Sequence, residues 1–568
     1  MSKFNNEYVR GVLKTRNGRF VNGDGQEIIL NGYGTANWEN VEGFMIGGPE
    51  LKVHQFKYLL WPGAGEDHNP DRWSSRRNVS QTIRELCGSE YLETFWDRWE
   101  ENHLREEDIK LMAELGYNCV RVVLNANALL YEEPGIRFNE KSFGRLSNVI
   151  DWCEKYRIYV ILDMHGVVGG NNGATGDSLF CEFPSVFLDE ESTERQIVLW
   201  EEIVRRYGHR WIIAGYDLIN EPVSSPIQHA YIPLLSKFYD DCIARLRKLD
   251  REHIMFLEGA KYARDMRIFD HNYDPECGNW AISIHLYGAS PEIKDLYPWL
   301  LKCREWNVPL WLGECGSKPS HNAVFYDICA HYGIAWTPWA WKTAENGGHG
   351  PCSVAHPLPK DWDKIQRYVR GGPRPGYAEC QRIMDEYIEL TKLEHCTVGY
   401  ETHRLNHKQP DITIGGAGYD MFLEDGSRYY GSWELSNYLD FRLEDHTKLV
   451  WATTKQKPYP AFHWYDDPNV ERYDPLEDLA LELHAGEFAN YTVREVRQNC
   501  HVTVEGIGEG TADVLCNGVK VGTISLPAGS IPESVKSERL TIAPGEEAVV
   551  KLVVTEGTLT IRNVIFAY

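Results

Sequence analysis

The chain reads IAGYDLINEP over residues 213–222. A short, mainly apolar run that stops at a proline is typical of a buried strand. Its end carries Asn220 and Glu221, and a carboxylate that leaves water at such a place needs a partner, a raised pKa or a chemical task. Alone, Glu221 could also cap a following helix or pair with an arginine, so the flanking sequence decides its role.

Seven other short apolar runs flank this one: EIILNGYG (27–34), CVRVVLN (119–125), YVILDMHG (159–166), IMFLEGA (254–260), AISIHLYG (281–288), PLWLGECG (309–316) and IAWTPWAWK (334–342). Amphipathic stretches with apolar residues at intervals of three and four, such as TERQIVLWEEIVRRYG, lie between them. Strands that alternate with helices indicate an α/β fold with a parallel sheet. Eight such units over roughly 390 residues predict a (β/α)8 TIM barrel with insertions.

A second glutamate, Glu314, stands near the end of the seventh run. It lies between Gly313 and Cys315, 93 positions after Glu221. The carboxyl ends of the strands of such a barrel meet at one mouth. Hydrolysis of a glycosidic bond needs one carboxyl group that protonates the leaving oxygen and a second that meets the oxocarbenium-like centre from the other side. The two glutamates therefore predict a glycosidase.

Most of the other runs also end in polar or aromatic side chains: Arg121, Asn125, His165, His285, Tyr287, Trp339 and Trp341. In a (β/α)8 barrel this end of the strands carries the chemistry. The histidines and glutamates come from separate strands and lack the short ligand spacing of a metal site, so we predict neither a metal nor a cofactor.

Composition narrows the partners and the compartment. The net charge of −24 argues against nucleic acid and anionic membrane surfaces, which demand a basic face, and a neutral carbohydrate or glycoside fits better. The fourteen cysteines form no CxxC pair, which favours free thiols. The chain has no signal-peptide core and no membrane-length apolar run, so we expect a cytoplasmic protein, or a secreted one if a signal peptide has been removed. The sequence leaves the oligomeric state open.

The length of 568 residues favours two domains. After about Lys392, helical periodicity gives way to short runs such as HVTVEG, AVVKLVV and LTIRNVIFAY, separated by Gly, Pro and Asn. We therefore predict a barrel over residues 1–395 and a β-rich domain over 396–568, an all-β sandwich with its core at about 480–568.

An aromatic-rich insertion at about residues 45–103 follows the first strand. Its position would place it over the mouth of the barrel. It could pack on itself as a lid or contact a ligand directly, and the sequence favours neither role.

Residues 1 to about 390 resemble glycoside hydrolase family 5, a retaining family of (β/α)8 glycosidases. The resemblance is carried by several motifs in order: VRVVLN with Arg121, LDMHG with His165, NEP with Glu221, IHLYG with His285 and Tyr287, LGECG with Glu314, and WTPWAW with Trp336, Trp339 and Trp341. The resemblance implies that Glu221 is the acid/base, protonated near neutral pH, and that Glu314 is the ionised nucleophile.

The resemblance also implies roles for the surrounding side chains. Arg121 would hold Glu314, His285 and Tyr287 would orient the carboxylates, and the sugar would be bound by Asn220 at its 2-hydroxyl, by His165 and by Trp339. Trp341 is expected to face the helix layer instead, because alternate strand residues point to opposite sides. Asp163 and Asp217 precede the strand ends and are expected to serve packing of the barrel.

Within the family, GTANWENVEGF is similar to a stretch of the exo-β-glucanase and β-glucosidase branch, which implies that Glu42 contacts the terminal sugar. HGVVGGNNGATGD resembles a loop of the same branch and matches its asparagine at Asn172, but Thr175 replaces an expected aspartate. That departure counts against a 1,3-glucan substrate. The C-terminal strands resemble a family 6-type carbohydrate-binding module, which could bind sugar or be purely structural.

Three functions therefore stay open at this point. The first is an exo-acting retaining hydrolase of β-glucosides or short β-glucans. The second is an endo-β-glycanase or β-mannosidase with the same catalytic pair. The third is a carbohydrate-binding protein without catalytic activity, which the presence of both glutamates disfavours.

Overall fold

The computed structural model describes residues 6–48, 72–171, 184–223, 227–288, 290–345, 353–421, 428–434, 441–457, 459–460 and 471–568. Eight strands form one parallel sheet in chain order: β1 Gly32–Gly34, β2 Cys119–Asn125, β3 Tyr159–Gly166, β4 Ile213–Asp217, β5 Ile254–Glu258, β6 Trp280–Tyr287, β7 Leu310–Gly316 and β8 Ala335–Pro338. Asn31 bridges to Trp336 in parallel, and the Trp336 N–H donates to the Leu30 carbonyl at 3.0 Å. The last strand thus meets the first, and the sheet closes into the predicted barrel.

Helices cover the sheet and extend beyond it: α1 Arg76–Cys87, α2 Ser89–His103, α3 Glu106–Glu114, α4 Glu140–Tyr156, α5 Glu190–Tyr207, α6 Gln228–Leu246, α7 Tyr297–Trp306, α8 Pro319–Tyr332, α9 Trp362–Val369, α10 Tyr377–Leu390 and α11 Tyr400–His407. Ser75, Asn139 and Asp189 cap α1, α4 and α5 by accepting backbone N–H groups. Helix α8 ends at Gly333, whose φ of 66° suits a glycine. Short strands flank these elements at Lys14–Arg16, Arg19–Val21, Lys342–Ala344, Val354–His356 and Thr397–Val398.

Strand β4 is shorter than the apolar run predicts, because it ends at Asp217 rather than at Pro222. The Asn220 N–H still donates to the Met164 carbonyl of β3 at 3.1 Å. Beyond it the backbone turns sharply, since Glu221 has a φ of 43°, a left-handed conformation that ordinary residues seldom adopt. Glu221 therefore lies on a turn that follows the strand.

The described part of the aromatic insertion forms α1 and α2. Its large side chains Trp73, Phe95 and Trp99 are buried in an apolar cluster with residues of α9 and α10. The Trp99 indole donates to the Asn37 carbonyl at 2.7 Å. These helices thus pack on neighbouring protein, whereas residues 49–71 of the insertion lie outside the described residues.

The C-terminal part is an antiparallel β domain with its own core, as predicted: β9 Ile412–Gly415, β10 Tyr429–Tyr430, β11 Lys448–Trp451, β12 Leu479–His484, β13 Phe488–Val496, β14 Cys500–Cys516, β15 Val519–Leu526, β16 Val535–Lys536, β17 Leu540–Ile542 and β18 Gly545–Ala567. The long strand β18 pairs with β14 along its length and with β13, β12 and β9 in turn. A domain boundary at residue 395 stays a prediction.

Helix α8 belongs to both domains. It follows β7 directly, and its residues Ala323, Val324 and Ile328 are buried in the apolar core of the β domain. Asp327 on the same helix accepts a hydrogen bond from Lys408 at 3.2 Å and pairs with Arg494. Buried pairs of this kind fix the relative position of the elements that they join.

Several buried cysteines, including Cys119, Cys153 and Cys315, are free thiols, as the sequence predicts. Within the described ranges, no helix is long and apolar enough to cross a membrane.

Candidate active site

Glu221 and Glu314 meet at the mouth of the barrel. One carboxylate oxygen of each glutamate and one ring nitrogen of His285 all lie within 4.8 Å of one another. Retaining glycosidases hold their two carboxyl groups about 5 to 5.5 Å apart, whereas inverting enzymes need a wider gap for water. The turn after β4 and the end of β7 thus bring the two predicted glutamates to a distance that suits direct attack by one of them.

Glu314 is buried and surrounded by donors. It accepts a hydrogen bond from Arg121 Nη1 at 2.8 Å and another from the Tyr287 hydroxyl at 2.6 Å. His285 Nδ1 lies 3.4 Å from its second oxygen. Burial opposes ionisation, but the charges of His285, Arg121 and His165 more than offset it and lower the pKa of Glu314 to about 2. The carboxylate is therefore ionised throughout the neutral pH range.

Arg121 is the centre of a buried charge network on the axis of the barrel. Its guanidinium group contacts four carboxylates, at 3.1 Å for Asp163, 2.9 Å for Asp217, 3.2 Å for Glu258 and 2.8 Å for Glu314. These charges raise its pKa well above the usual value although burial works against the charged form. The network holds the arginine rigidly, and Asp163 and Asp217 lie in the interior as part of it.

Glu221 has a different environment. It is half-buried, and its Oε1 lies 2.8 Å from Nδ1 of His285. Its backbone N–H donates to Oε2 of Glu258 at 2.6 Å. One glutamate is thus held by an arginine and a tyrosine, and the other by a histidine, although they lie side by side.

His285 connects the two glutamates. Its Nδ1 faces both of them, and its Nε2 lies 3.0 Å from Oε1 of Glu258. Burial favours the neutral ring, but the carboxylates of Glu258, Glu314 and Glu221 outweigh it and raise the pKa of His285 well above its usual value. The surrounding carboxylates thus favour the protonated form of the ring.

The ring of His165 packs against one face of Trp339 at the mouth of the barrel. Their rings stack with centroids 5.0 Å apart and an interplanar angle of 4°. His165 Nδ1 lies 3.0 Å from Asp163, and its Nε2 faces the Asn220 amide nitrogen at 3.2 Å. Both ring nitrogens therefore have protein partners, and the side chain of Asn220 also accepts from Arg121.

The two other tryptophans of the last strand motif face outward. The Trp341 indole donates to Asp108 of α3 at 2.9 Å, and Trp336 stacks on Tyr326 of α8. Of these three, Trp339 lines the mouth, where it stacks on His165 beyond the end of β8.

Gly34 makes room for Trp339. A Cβ atom at this position would lie 2.6 Å from Cε3 of the indole. We expect Gly34→Ala to displace the ring and to lower kcat/KM about 10-fold or more, because misplacement by an ångström is costly in an active site. Steady-state kinetics with an aryl β-glycoside measure this change. The matched control is Gly144→Ala in α4, where a Cβ meets nothing within 4 Å and activity should be retained; equal losses in both variants would contradict this role of Gly34.

Glu42 lies at the same mouth, in the segment that follows β1. The Trp339 indole hydrogen bonds to its carboxylate, and the Glu42 N–H donates to the Asn37 side chain at 3.1 Å. Burial and the negative charges of Glu314 and Glu221 raise the pKa of Glu42 to about 7, although His165 acts in the opposite direction. Asn172 and Thr175 of the predicted loop lie outside the described residues.

The structure adds Glu258 and Gly34 to the residues that the sequence predicts. Glu258 is the last residue of β5 and is fully buried, with three partners in the site. Glu258 is an acidic residue near the end of the run IMFLEGA, just as Glu314 is near the end of its own run. The same criterion could therefore have identified Glu258 from the sequence. The sequence could not identify Gly34, because the need for a residue without a side chain there depends on where Trp339 lies in the structure.

The donor groups of the site bear on whether it could hold a metal ion. Within the described ranges, two groups have ligand atoms close enough for a metal ion: Glu221, His285 and Glu314, and the exposed set Glu389, Glu394 and His395. In the first group the carboxylates raise the pKa of His285 and so favour a ring without a free lone pair, and Arg121 and Tyr287 already donate to the oxygens of Glu314. The group in the barrel thus fits proton transfer better than metal coordination.

Comparison with known proteins agrees with this geometry. Residues 79–345 match the family model described as cellulase, glycosyl hydrolase family 5. A β-xylosidase of Phanerodontia chrysosporium is 29% identical over 54% of this chain and 61% of its own length. Cellodextrinase A of Ruminococcus flavefaciens is 32% identical over 28% of this chain and 44% of its own length. The chain thus spans less than two thirds of the length of each of these relatives.

The crystal structure of an endogalactoceramidase aligns with 97% of this chain and 99% of its own at 14% identity and a TM-score of 0.43. A β-mannanase from Thermomonospora fusca aligns with 65% of this chain and 97% of its own at 18% identity and a TM-score of 0.37. The matched family model covers β2 to β8 with both mouth glutamates, and this part of the barrel is similar to glycosyl hydrolase family 5.

Proposed function

We propose that this chain is a retaining β-glycosidase in which Glu314 is the nucleophile and Glu221 the acid/base. The observation that carries this proposal is the pair itself: two carboxylates within 4.8 Å that have different partners. Glu314, with a pKa of about 2, has the charge that attack on an anomeric carbon requires. Glu221 is half-buried and open to the leaving group.

In the first step, Glu314 forms a bond to the anomeric carbon while the bond to the leaving oxygen breaks, and Glu221 gives its proton to that oxygen. The glycosyl ester removes the negative charge of Glu314, which allows Glu221 to act as the base. In the second step, water attacks the same carbon, its proton passes to Glu221, and the ester bond breaks. Two inversions leave the product with the configuration of the substrate.

The proposed substrate is a β-glucoside or a short β-glucan that is cleaved from its end. Support comes from Glu42, which lies at the mouth beside Trp339 and close to Glu314 and Glu221. The named relatives include a β-xylosidase and a glucan 1,3-β-glucosidase of Schwanniomyces occidentalis, whose names denote removal of single sugars, and also endoglucanases. The stacked pair of Trp339 and His165 offers an apolar face for the sugar ring.

The reaction is tested by proton NMR on an aryl β-glucoside, with aryl β-xyloside and β-mannoside as alternatives. We expect the β-anomer to form first and to mutarotate later. Incubation with intact β-glucan should release single sugars with little shortening of the chains. First appearance of the α-anomer contradicts the retaining mechanism, and rapid shortening of the polymer contradicts exo action.

Glu42→Gln tests the contact with the terminal sugar. Above its pKa of about 7 the carboxylate accepts charge-assisted hydrogen bonds from sugar hydroxyls, and below it the group is neutral and binds less well. We therefore expect KM of the wild type to fall as the pH rises from about 6 to about 8. In Glu42→Gln, KM should be roughly 10-fold higher and independent of pH in this range. An unchanged pH dependence in the variant would contradict the assignment.

A further inference from the structure

Glu258 makes three contacts that no role in barrel packing requires. Its Oε2 accepts the backbone N–H of Glu221 at 2.6 Å. Its Oε1 lies 3.0 Å from His285 Nε2 and 3.2 Å from Arg121 Nη2. The residue is completely buried, and Tyr239 of α6 donates to its carbonyl at 2.9 Å, which fixes its backbone. One carboxylate thus contacts the acid/base turn, the bridging histidine and the central arginine.

Neutralisation of Arg121 does not explain this glutamate. The arginine already contacts Asp163, Asp217 and Glu314, so a fourth carboxylate adds excess negative charge in the interior. Such a charge is costly unless another cation shares it. His285 is placed to share it, since its Nε2 lies 3.0 Å from Oε1 of Glu258 while its Nδ1 lies 2.8 Å from Glu221 and 3.4 Å from Glu314.

We propose that Glu258 is a positioning residue that keeps a proton on Nε2 of His285, so that one charged ring holds Glu221 and Glu314 together from Nδ1. The inference rests on the proposed roles of the two glutamates. Glu258 acts through His285 and through the Glu221 backbone, and it does not contact the reacting atoms.

The electrostatic consequence can be worked out from the groups that face His285. These are Glu221, Glu258 and Glu314, while Arg264 donates to its carbonyl at 3.1 Å. Glu258→Gln removes the negative charge that lies 3.0 Å from Nε2, so the protonated ring loses its nearest counter-charge on that side. A neutral ring 3.4 Å from Glu314 no longer favours the carboxylate, so the pKa of Glu314 rises from about 2.

A smaller effect acts in the other direction, because loss of the Glu258 charge by itself favours ionisation of Glu314. The ring lies between the two carboxylates and is in direct contact with Glu314. Since Coulomb energy falls with distance, the lost positive charge of His285 outweighs the lost negative charge of Glu258.

The test is the pH profile of kcat/KM for Glu258→Gln with an aryl β-glycoside. We expect the acidic limb to move up by about one pH unit or more, with kcat near neutral pH reduced roughly 10- to 100-fold. Glu258→Asp keeps the charge and should leave the limb within about 0.3 unit of the wild type, with a lower kcat from the shorter reach. Asp217→Asn is the matched control: it removes a carboxylate from Arg121 without touching His285, so the limb should not move up.

A measurement on the wild type keeps the inference testable if Glu258→Gln does not fold. In protein labelled with nitrogen-15 histidine, His285 should show two protonated ring nitrogens at pH values above the ordinary histidine pKa of about 6.5. The signal is assigned by its loss in His285→Gln. One unprotonated ring nitrogen at neutral pH overturns the inference, as does an acidic limb that stays in place in folded Glu258→Gln. In either case, loss of activity in Glu314→Gln would still support the proposed function. Full activity in Glu314→Gln would instead contradict the proposed function itself.

Discussion

Glu314→Gln is expected to lower kcat/KM for an aryl β-glycoside by at least roughly 10⁴-fold, about 5.4 kcal/mol of transition-state stabilisation. The amide has the shape of the carboxylate but cannot form the glycosyl ester. Its single carbonyl oxygen can keep the hydrogen bond from Arg121, and its NH2 group can donate to the Tyr287 hydroxyl once that hydroxyl rotates, so most of the network survives. We therefore expect the unfolding midpoint to stay within about 5 °C of the wild type. Kinetics and thermal unfolding on the same preparation measure both quantities.

The control for Glu314→Gln is Glu305→Gln, which changes an exposed glutamate on α7, directly before β7. It should retain the activity of the wild type. A further variant, Glu314→Gly, opens space on the face that the nucleophile occupies. Added azide should then attack from that face and give the α-glycosyl azide. Hydrolysis by Glu314→Gln near the rate of the wild type, or a β-azide from Glu314→Gly, would contradict the nucleophile assignment.

Much of the site could be predicted because its residues stand at strand ends. Parallel strands of a barrel present their carboxyl ends at one mouth, so His285, Tyr287 and Glu314 were expected to be neighbours once the strands were identified. The chain position alone therefore indicates that they meet. The family resemblance added the distinction between acid/base and nucleophile, which spacing does not contain.

Other features depend on contacts that the sequence does not encode locally. The role of Glu258 depends on the side-chain conformations that place its carboxylate next to Nε2 of His285. The small size of Gly34 matters only because Trp339 lies 2.6 Å from where a Cβ of residue 34 would be. The apolar run around residue 218 predicts a strand up to Pro222, but the left-handed turn at Glu221 ends it earlier. That turn lifts the carboxylate out of the sheet toward the mouth.

The position of Glu314 also depends on the second domain. Strand β7 leads directly into α8, whose apolar residues lie in the core of the β domain and whose His321 contacts Asp474 at 2.8 Å. A helix that is anchored in two cores has little freedom to shift. The C-terminal domain thus supports the strand that carries Glu314, whether or not it binds sugar itself.

The second large effect is expected for Glu221→Ala, and it depends on the leaving group. A dinitrophenolate leaves without a proton, so formation of the glycosyl-enzyme stays fast with that substrate. A methyl or sugar leaving group needs the proton, and kcat/KM for such substrates should fall roughly 10²- to 10⁴-fold. The second step loses its base with every substrate. We therefore expect a burst of dinitrophenol followed by slow turnover, which stopped-flow absorbance measures.

Azide distinguishes the two glutamates in this variant. With Glu221 truncated, azide can enter on the face of the departed aglycone and attack the glycosyl ester of Glu314 without help from a base. The product should be the β-glycosyl azide, and turnover of the dinitrophenyl substrate should rise with azide concentration. Glu314→Gly should give the opposite anomer under the same conditions. If Glu221→Ala gave the α-azide, or slowed all leaving groups equally, the roles of Glu221 and Glu314 would have to be reassigned, because only their positions on opposite faces of the sugar explain two different anomers.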